Sequence, residues 1–394
     1  MSNNIPGKIL FISHESSISG APILLLNLLK LLSRTRNTQL SIVIKRGGRL
    51  DEFFMGFGEL LVLKSENYQK NKSFLGKVVD FIGYRIRLRR FRKMASKSDC
   101  VISNTITNGR LLKLIEGYGV PVITYVHELK EVMHYCDRNG DTSFSLRLSS
   151  AFFSPSKAVT DNLIQNFGIK DTFIFPLHYY FESITQKNSS SKLKAKAKAF
   201  KELNFPPDCF TVVGMGSGSY RKGTDLFIDI AGAAISEDPN IRFVWIGDFI
   251  EEEIKAAVND KILAFNLEDK VTITGFLPSS PDNLMPYDLL ALTSREDPYP
   301  LVVLEAAFLN IPSICFEGSG GMTEFISDDA GIIVSEGSVD EFVKAILTLK
   351  NNRLLLEEKG AKAREKAMQL HANAEIILDQ FDTGINAIIK DNKR

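Results

Sequence analysis

One stretch of the chain, LTSREDPYPLVVLEAAFLNIPSICFEGSGG from Leu292 to Gly321, constrains the fold more than any other. It predicts a strand end, an acidic turn, a helix that begins at Pro300, a short strand and a glycine-rich loop, which together make a βαβ unit. In sheets built from such units, ligands bind beyond the carboxyl ends of the strands, where helix N-termini present N–H groups. Asp297 lies in the turn and Glu305 in the helix. We therefore expect a carboxylate-bearing site for a polyol at this edge.

The order of strand, glycine-containing loop and helix occurs at two further places. KILFIS, over Lys8 to Ser13, leads into a polar loop that contains His14, Gly20 and Ala21. FTVVGM, over Phe210 to Met215, leads into the loop GSGSYRKG and then into a predicted helix. In a chain of 394 residues, these two units predict an α/β protein of two Rossmann-like domains with parallel sheets.

The second of these loops carries cations where a dinucleotide-binding loop has small residues. Gly216 and Gly218 begin a G-x-G pattern, but Arg221 stands in place of the third glycine and Lys222 follows it. Two cations beside a helix N-terminus suit a diphosphate, whose negative charge grows as it leaves. The loop therefore favours a diphosphate-leaving reaction over binding of NAD.

Composition changes sharply over SITQKNSSSKLKAKAKAFK, a segment rich in serine and lysine that follows the first predicted domain. Such polar segments are typical of domain boundaries. We predict an N-terminal domain over residues 1–185, a linker over residues 186–204 and a C-terminal domain over residues 205–374.

Basic residues are concentrated in one segment, although the whole chain has a net charge of only +1. Lys72 to Lys97 contains nine Lys/Arg residues and one acid, and a helix predicted over Phe74 to Met94 carries most of them. A segment of this kind can lie on anionic lipid, and it is also typical of a solvated helix face. The balanced net charge gives no reason to expect nucleic acid as a partner.

Cysteine spacing and local motifs bound the class of protein further. The four cysteines form no C-x-x-C pair, which disfavours a zinc site or a redox motif, and no Asp-x-Asp triplet suggests a divalent metal. The first residues lack a signal peptide pattern, and the longest apolar run, Ala21 to Leu32, is too short to span a bilayer. We expect a cytoplasmic protein, and peripheral contact with the inner face of the membrane stays open.

The spacing Asp297-Pro-Tyr-Pro-Leu-Val-Val-Leu-Glu305 resembles the E-x7-E element of retaining glycosyltransferases of the GT4 family, also called group 1. Arg221-Lys222-Gly223 and Gly320-Gly321 extend the resemblance over nearly the whole chain. The family has the GT-B architecture of two facing Rossmann-like domains with a cleft between them. The resemblance thus implies that a C-terminal helix, at about residues 375–394, packs back on the first domain.

The activity implied by the resemblance is transfer of a sugar from a nucleotide diphosphate sugar to a hydroxyl group, with retention and without a metal or cofactor. The acceptor would be a glycan or a lipid-linked molecule in surface polysaccharide synthesis. Arg221 and Lys222 would stabilise the leaving diphosphate and Glu305 would hold the ribose. The chain has Asp297 where the family has Glu, so either Asp297 or the adjacent Glu296 would hold the donor sugar.

The same resemblance implies further contacts on both domains. On the donor side they are made by glycines, by a base-contacting turn and by N–H groups that the prolines of the acidic turn leave available: Gly216, Gly218, Phe276, Leu277, Tyr299, Leu301, Val302, Gly320 and Gly321. In the first domain, His127 matches by context a sugar-facing histidine at a strand end, which the resemblance implies would be catalytic by holding or polarising the transferred sugar, although a lone histidine is also often structural. His14, Gly20, Ala21 and Glu128 would lie on the acceptor side.

Two other classes of function stay open from the sequence. One is a non-catalytic homologue that binds a nucleotide or glycan and supports a partner enzyme, against which the intact Lys222 and Glu305 argue. The other is an NAD-dependent oxidoreductase, which predicts NAD binding and tolerance of an Arg221→Ala change. A two-carboxylate hydrolase leaves the cationic loop unexplained.

Overall fold

The computed structural model of the protein describes residues 7–65, 74–182, 189–277, 283–327 and 329–391. The chain divides into two compact units, the first formed by Met1–Glu182 with Asn373–Arg394 and the second by Ser183–Ala372. Each unit is an α/β domain around one parallel sheet. The predicted class of two Rossmann-like domains with parallel sheets is therefore confirmed.

The first unit has a seven-stranded sheet in the order β3-β2-β1-β4-β5-β6-β7. Its strands are β1 (Lys8–Ser13), β2 (Gln39–Arg46), β3 (Glu59–Lys64), β4 (Cys100–Asn104), β5 (Val122–Tyr125), β6 (Ala151–Ser154) and β7 (Ile174–Pro176). Its helices are α1 (Gly20–Thr35), α2 (Asp51–Met55), α3 (Phe74–Ala95), α4 (Gly109–Leu112), α5 (Lys130–Asp137), α6 (Asp141–Leu148), α7 (Lys157–Phe167) and the C-terminal α15 (Ala374–Asp391).

The central strands of the first unit are buried on both faces, which is why they are almost continuously apolar. Leu10, Phe11 and Ile12 of β1 are fully shielded from solvent. On one side of the sheet α15 packs against β6 and β7, and the ring of Phe381 stacks on that of Phe153. The C-terminal helix thus belongs to the core of the first unit.

The second unit has a six-stranded sheet in the order β10-β9-β8-β11-β12-β13. Its strands are β8 (Phe210–Met215), β9 (Ile241–Ile246), β10 (Val271–Ile273), β11 (Leu289–Leu292), β12 (Ser313–Phe316) and β13 (Gly331–Val334). Its helices are α8 (Ser189–Glu202), α9 (Thr224–Glu237), α10 (Glu252–Ala264), α11 (Leu301–Phe308), α12 (Met322–Ile326), α13 (Val339–Asn351) and α14 (Arg353–His371).

The segment predicted to link the domains is helical where it is described. Residues 186–188 lie outside the described residues, and α8 covers most of the remainder of the predicted linker. Lys196 of α8 donates to both carboxylate oxygens of Asp288 at 2.9 Å, and the ring of Phe200 meets that of Phe205 edge to face. These contacts attach α8 to the second unit.

Strand order places two loops side by side in each sheet. In the first unit β1 has β2 on one side and β4 on the other, and in the second unit β8 has β9 on one side and β11 on the other. At such a switch point the two connections leave the sheet in opposite directions and open a crevice at the carboxyl ends of the strands. The loops after β1 and β4, and those after β8 and β11, are therefore the expected positions of ligand-binding residues.

The basic helix predicted over Phe74 to Met94 is present as α3. Among the described helices, none is both long enough and apolar enough to cross a membrane.

Candidate functional site

The loop after β8 is shaped by glycines that bring it against its neighbour. The N–H of Gly218 donates to the carbonyl of Asp248 at 2.8 Å, and a Cβ on Gly218 would lie 2.4 Å from the ring of Phe249. A Cβ on Gly247 would lie 1.9 Å from the carbonyl oxygen of Gly216. Gly218 and Gly247 are thus required for close contact between the loops after β8 and β9, whereas a Cβ on Gly216 would meet only the Lys222 side chain, at 3.5 Å. The predicted contacts of Gly216 and Gly218 with the donor stay a prediction.

The end of the same loop lies against the turn after β11. Gly223 has a φ of +65°, and a Cβ there would lie 1.9 Å from the carbonyl oxygen of Thr293. The Thr293 hydroxyl donates to the Gly223 carbonyl at 2.9 Å, and the Arg295 N–H donates to the Arg221 carbonyl at 2.8 Å. Two segments about seventy residues apart in sequence are therefore fixed side by side at the switch point.

This contact pairs the predicted cations with the predicted acidic turn. The Lys222 ammonium makes a salt bridge with Oδ2 of Asp297, and the two side chains are only 15% and 7% exposed. Arg221 Nη1 donates to the carbonyl of Glu296 at 2.6 Å. Asp297 accepts a further, longer bond of 3.4 Å from the Ser294 hydroxyl. Lys222 and Asp297 thus form a nearly buried ion pair at the carboxyl edge of the sheet.

The glycine loop after β12 holds this turn from the other side. Gly320 pairs with Asp297, has a φ of +129°, and would place a Cβ 1.8 Å from the Asp297 carbonyl oxygen. The N–H of Gly321 donates to the carbonyls of Asp297 and Pro298 at 3.3 and 3.1 Å. The amide of Gly321 is therefore used within the protein, and the role that the geometry gives both glycines is to position Asp297.

The helix α11 points its N-terminus at this turn. Pro300 is the N-cap rather than the first helical residue, and Leu301 and Val302 are the first two residues of the helix. N–H groups at these positions have no acceptor within the helix. The Tyr299 side chain is buried, and its hydroxyl lies 2.9 Å from Nε2 of His371. Leu301 and Val302 thus keep amides suited to an anion, whereas the Tyr299 ring is part of the core.

Glu305, one turn further along α11, is partly buried. Burial raises the pKa of this carboxyl to about 7. Near neutral pH the group therefore exists in both forms. The ionised form accepts hydrogen bonds from hydroxyl groups, and the protonated form can donate one.

Phe276 lies exposed in the turn after β10, at the same edge of the sheet. Its side chain is 47% exposed, and its N–H donates to Oδ1 of Asp248 at 3.0 Å. The neighbouring Gly275 accepts from the N–H of Gly247 at 2.9 Å. Phe276 and the partly buried Leu277 therefore follow directly on the glycine-lined edge, and their predicted contact with the base stays a prediction.

Arg295 is a residue of this site that the sequence did not single out. Its guanidinium makes a two-pronged pair with Asp225 at 2.7 and 2.8 Å and lies 3.8 Å from the centre of the Tyr220 ring. The same group donates to the Tyr220 carbonyl at 2.7 Å. Arg295 thus attaches the turn after β11 to the cationic loop and to the first turn of α9. No local sequence motif predicts this contact, because Tyr220 and Asp225 lie about seventy residues before Arg295 in the chain.

In the first unit, His127 lies in a network of neutral hydrogen bonds. Its Nε2 is 2.9 Å from Oδ1 of Asn104, and its Nδ1 is 3.2 Å from the Tyr179 hydroxyl. The Asn104 amide nitrogen donates to the Ala21 carbonyl at 2.8 Å, so its oxygen accepts from His127. Burial, helped by the nearby His14, lowers the pKa of His127 to about 3. His127 is therefore neutral and carries its proton on Nε2.

Glu128 closes the turn that follows β5. Its Oε2 accepts from its own neighbour, the N–H of His127, at 2.9 Å and from the N–H of Ile106 at 3.3 Å. Burial raises the pKa of this carboxyl to about 7. The geometry gives Glu128 a part in shaping the loop, and its predicted contact with an acceptor stays a prediction.

The loop after β1 brings a second histidine to the same edge. His14 Nε2 is 3.6 Å from the carboxylate of Glu15, which also accepts from the hydroxyl groups of Ser17 and Ser19. Burial lowers the pKa of His14. Its Nδ1 is shielded from solvent and has no hydrogen-bond partner among the described residues. Gly20 and Ala21, the other predicted residues here, begin α1.

Asn104, Tyr179 and Lys45 are residues of this edge that the sequence did not single out. Lys45 donates to the Thr107 carbonyl at 2.9 Å and lies 3.8 Å from Oδ2 of Asp141, and burial lowers the pKa of this lysine. Asn104 ends a strand, which is a signal that could have identified it. Tyr179 reaches the site from a segment without regular structure, so no periodicity points to it.

Among the described residues, no group of three or more His, Cys, Asp or Glu side chains is arranged to hold a metal ion. The polar groups at the two edges are instead cations, neutral hydrogen-bonding side chains and separate carboxylates.

Comparison with known proteins finds relatives of the second unit. Residues 195–369 match the family of glycosyl transferases group 1. The poly(ribitol-phosphate) alpha-N-acetylglucosaminyltransferase of Staphylococcus aureus is 27% identical over 158 residues, which are 40% of this chain and 31% of that protein. The lipopolysaccharide core biosynthesis glycosyltransferase LpsD of Rhizobium meliloti is 27% identical over 187 residues, which are 47% of this chain and 52% of that protein. The chain thus aligns with about a third to a half of each relative's length.

Solved structures match both units. Anabaena Alr3699/HepE in complex with UDP-glucose has a TM-score of 0.79 at 19% identity, covering 95% of this chain and 98% of that one. A mutant of S. aureus TarM in complex with fondaparinux, alpha-GlcNAc-glycerol and UDP has a TM-score of 0.72 at 14% identity, covering 96% and 100%. The chain therefore has the GT-B fold that its sequence predicts, and residues 195–369 of its second unit match the glycosyl transferases group 1.

Proposed function

We propose that the protein transfers a sugar from a UDP-sugar to a hydroxyl group of a glycan or lipid-linked acceptor, with retention at the anomeric carbon and without a metal ion or cofactor. The family match and the names of the relatives support glycosyl transfer. The matching structures that hold UDP or UDP-glucose support uridine as the donor base.

The ion pair of Lys222 and Asp297 is the observation that carries the proposal. It places a cation and a carboxylate in contact at the switch point, nearly out of solvent and next to the N-terminus of α11. A diphosphate would take over the Lys222 ammonium and, together with the Leu301 and Val302 amides, be bound as an anion at a helix N-terminus. Asp297 would then be released to accept from a sugar hydroxyl.

Bond breaking then depends on where negative charge develops. As the bond from the anomeric carbon to the diphosphate oxygen breaks, the electron pair leaves with the UDP. Lys222 and Arg221 stabilise that charge in a site with little water, where a fixed cation is most effective. The acceptor oxygen forms the new bond to the anomeric carbon, and its proton passes to the diphosphate oxygen that leaves with UDP. Retention requires the acceptor to arrive on the face from which UDP departs.

Glu305 and Phe276 serve the nucleoside part of the donor in this proposal. The ionised carboxylate of Glu305 accepts from the ribose hydroxyls, and binding therefore competes with protonation of a group whose pKa is about 7. The half-exposed ring of Phe276 is available to pack against the base.

The acceptor is assigned to the carboxyl edge of the first sheet, where Asn104, His127 and Tyr179 form a neutral hydrogen-bonded network that we call the neutral edge. Hydroxyl groups need donors and acceptors rather than net charge, and the network of Asn104, His127 and Tyr179 supplies both. Surface polysaccharide or lipid-linked glycan synthesis suits the polysaccharide and lipopolysaccharide names of the relatives.

The proposal includes contact with the cytoplasmic face of a membrane through α3. Val79, Phe81 and Ile86 are 68%, 62% and 58% exposed on this helix, although they are apolar. They alternate with exposed cations such as Arg85 and Arg89. Such helices bind lipid through two attractions. Apolar side chains insert between the headgroups, and arginines pair with anionic phosphates.

Calorimetric titration with UDP, GDP and NAD tests the donor site. We expect UDP to bind, and we expect Lys222→Ala and Glu305→Ala each to weaken it at least about tenfold. Lys255→Ala removes an exposed lysine of the same unit and serves as the matched control. Binding of NAD alone, or unchanged UDP affinity in both site variants, would refute the proposed donor site.

Turnover separates an enzyme from a non-catalytic homologue. Incubation of UDP-glucose with candidate lipid-linked acceptors should release UDP equally with and without EDTA, and the product should have the anomeric configuration of the donor. UDP binding without turnover on any acceptor would favour the non-catalytic alternative, and loss of activity in EDTA would contradict metal independence.

Vesicle flotation tests the lipid contact. Phe81→Ser with Ile86→Ser should lower binding to anionic vesicles several-fold. Leu263→Ser with Phe265→Ser, which changes exposed apolar residues of the second unit, should have no effect. Equal binding by both double variants would contradict a membrane role for α3.

A further inference from the structure

A cavity of about 390 Å³ opens at the amino end of the first sheet, on the edge opposite to the loops of the switch point. The first residues of three neighbouring strands and the last turns of α3 surround it. Its lining is formed by Lys8, Gln39, Ser41, Glu59, Arg90, Lys93, Met94, Lys97 and Ser98. Its volume lies in the range of sites for small ligands.

The cavity is strongly cationic. Four of its lining side chains are lysine or arginine, and one is a carboxylate. That carboxylate, Glu59, pairs with Arg90 at 2.7 Å, and the nearby Asp99 accepts from the backbone N–H of Lys8 at 2.9 Å. Lys93 and Lys97 have no ion-pair partner among the residues that the structure describes, and neither does the ammonium of Lys8.

Helix geometry explains why the cations converge. Arg90, Lys93 and Lys97 are three and four positions apart, a spacing that places side chains above one another on one face of a helix and its following turn. The face turns toward the sheet because Phe91 and Met94 on the same part of α3 are buried in the core. Strand β1 adds Lys8 to the same lining.

Three ammonium groups that make no ion pair with a described residue surround one cavity, so a bound anion would lower their mutual repulsion. Phosphate groups suit such a site, because each offers several acceptor oxygens and up to two negative charges. Gln39, Ser41 and Ser98 add neutral side chains able to hydrogen-bond the same oxygens.

We propose that this cavity is a second anion site, distinct from the donor site, that binds a phosphate-bearing group. The group comes from a lipid headgroup at a membrane surface or from a soluble phosphorylated molecule. The site is built only from the first unit and from the edge away from the switch point, so it does not depend on the donor-binding residues or on the proposed transfer reaction.

Residue-resolved lysine acetylation tests this site. The intact protein is treated with an amine-acetylating reagent with and without inorganic pyrophosphate, and the modification of each lysine is read by mass spectrometry. We expect pyrophosphate to protect Lys8, Lys93 and Lys97 several-fold and to leave Lys77, an exposed lysine near the start of α3, unchanged. Protection of Lys222 by UDP, read from the same digest, reports on the donor site separately.

A pair of matched double variants sharpens the result. Lys93→Gln with Lys97→Gln should abolish protection of Lys8 and weaken pyrophosphate binding at this site about tenfold or more. Lys77→Gln with Arg89→Gln removes the same charge from α3 outside the cavity and should change binding less than about twofold. Equal protection of Lys77, or equal loss in the two variants, would mean that only general surface charge attracts the anion and would overturn the proposal.

The same acetylation experiment with lipid vesicles in place of pyrophosphate identifies the source of the phosphate group. Vesicles of phosphatidic acid in phosphatidylcholine should protect the same three lysines, against pure phosphatidylcholine as the control, if the ligand is a headgroup. Protection by pyrophosphate without protection by vesicles assigns a soluble phosphorylated ligand. Absence of protection in both arms refutes the site, whether or not UDP protects Lys222.

Discussion

The two switch points of this protein have the same topology and opposite chemistry. In the second unit, the loops after β8 and β11 meet through the ion pair of Lys222 and Asp297. In the first unit, the loops after β1 and β4 meet through the Asn104 amide, which joins the Ala21 carbonyl to the neutral ring of His127. The loops of the second unit therefore meet through an ion pair, and those of the first unit meet through hydrogen bonds between neutral side chains.

The difference teaches how one fold can serve two kinds of ligand. A diphosphate needs a fixed cation at the crevice, and a paired carboxylate keeps that cation compensated while the site is empty. An acceptor hydroxyl needs a donor and an acceptor whose charge does not change with pH, and burial of His127 keeps its pKa at about 3. The strand order gives the crevice in both cases, and the side chains at the loop ends determine what it suits.

The largest effect is expected from removing one member of the charged pair. Lys222→Met leaves the carboxylate of Asp297 nearly buried and uncompensated, and should lower the free energy of unfolding by about 3 kcal/mol and abolish UDP binding. Adding Asp297→Asn should restore most of the stability and none of the binding. Urea denaturation and calorimetry check both; a double variant as unstable as Lys222→Met would show that the pair is not coupled.

The next largest effect is expected at the glycine that supports this pair. Gly320→Ala places a Cβ against the Asp297 carbonyl at a φ of +129°, and we expect a loss of about 2–3 kcal/mol with weaker UDP binding. Gly337→Ala, at a φ of +69° in open space of the same unit, should lose only about 1 kcal/mol. Similar losses in urea denaturation would mean that backbone strain alone, and not the contact with Asp297, requires the glycine.

Glu305 makes the stability of the protein depend on pH, because burial alone, without a neighbouring charge, raises the pKa of its carboxyl group. Its folded pKa of about 7 exceeds the ordinary value of 4.5, so the folded state holds the proton longer and stability falls as pH rises between these values. Glu305→Gln should remove up to about 3 kcal/mol of this decline, measured by urea denaturation at pH 5 and pH 8. UDP affinity of the native protein should rise over the same pH interval. Equal dependence of stability on pH in the native protein and in Glu305→Gln would contradict the raised pKa of Glu305.

The sign is opposite for the histidine of the neutral edge. Burial lowers the folded pKa of His127 below its ordinary value of 6.5, so its contribution is lost as pH falls from 6.5 toward about 3. Protonation of His127 therefore lowers stability on the acid side of the pH range of highest stability, and ionisation of Glu305 lowers it on the alkaline side.

The smallest effect is expected within the neutral network. Tyr179→Phe removes the hydroxyl that His127 Nδ1 accepts from at 3.2 Å, and should lower the free energy of unfolding by about 1 kcal/mol without changing UDP affinity. Tyr118→Phe, at an exposed tyrosine of the same unit, should change neither quantity. Weakened UDP binding in Tyr179→Phe would contradict the division of charged and neutral roles between the units.

Much of the charged edge was predictable because its signals are local. The cations of the loop after β8 stand next to a glycine and a helix start, and Asp297 and Glu305 lie within one short stretch of sequence. The basic helix α3 was also predictable from its composition. Its arrangement was not: several apolar side chains of this helix are exposed, and Arg90 and Lys93 line a cavity.

The neutral edge was less predictable because its members come from separate elements. His127 was found by its strand end, but Asn104 and Tyr179 complete its hydrogen bonds from 23 and 52 residues away. The roles of Gly320 and Arg295 were missed for the same reason, since each is defined by contacts with a distant loop.

The sequence by itself determined the α/β class, the two parallel-sheet domains and the residue types at the strand ends, because periodicity and loop composition act over a few neighbouring residues. Only the tertiary structure decided which strand ends are neighbours, and hence that Lys222 meets Asp297 while His127 meets Asn104. It also decided the protonation of Glu305 and His127, because burial depends on everything that packs around a side chain and not on its neighbours in the chain.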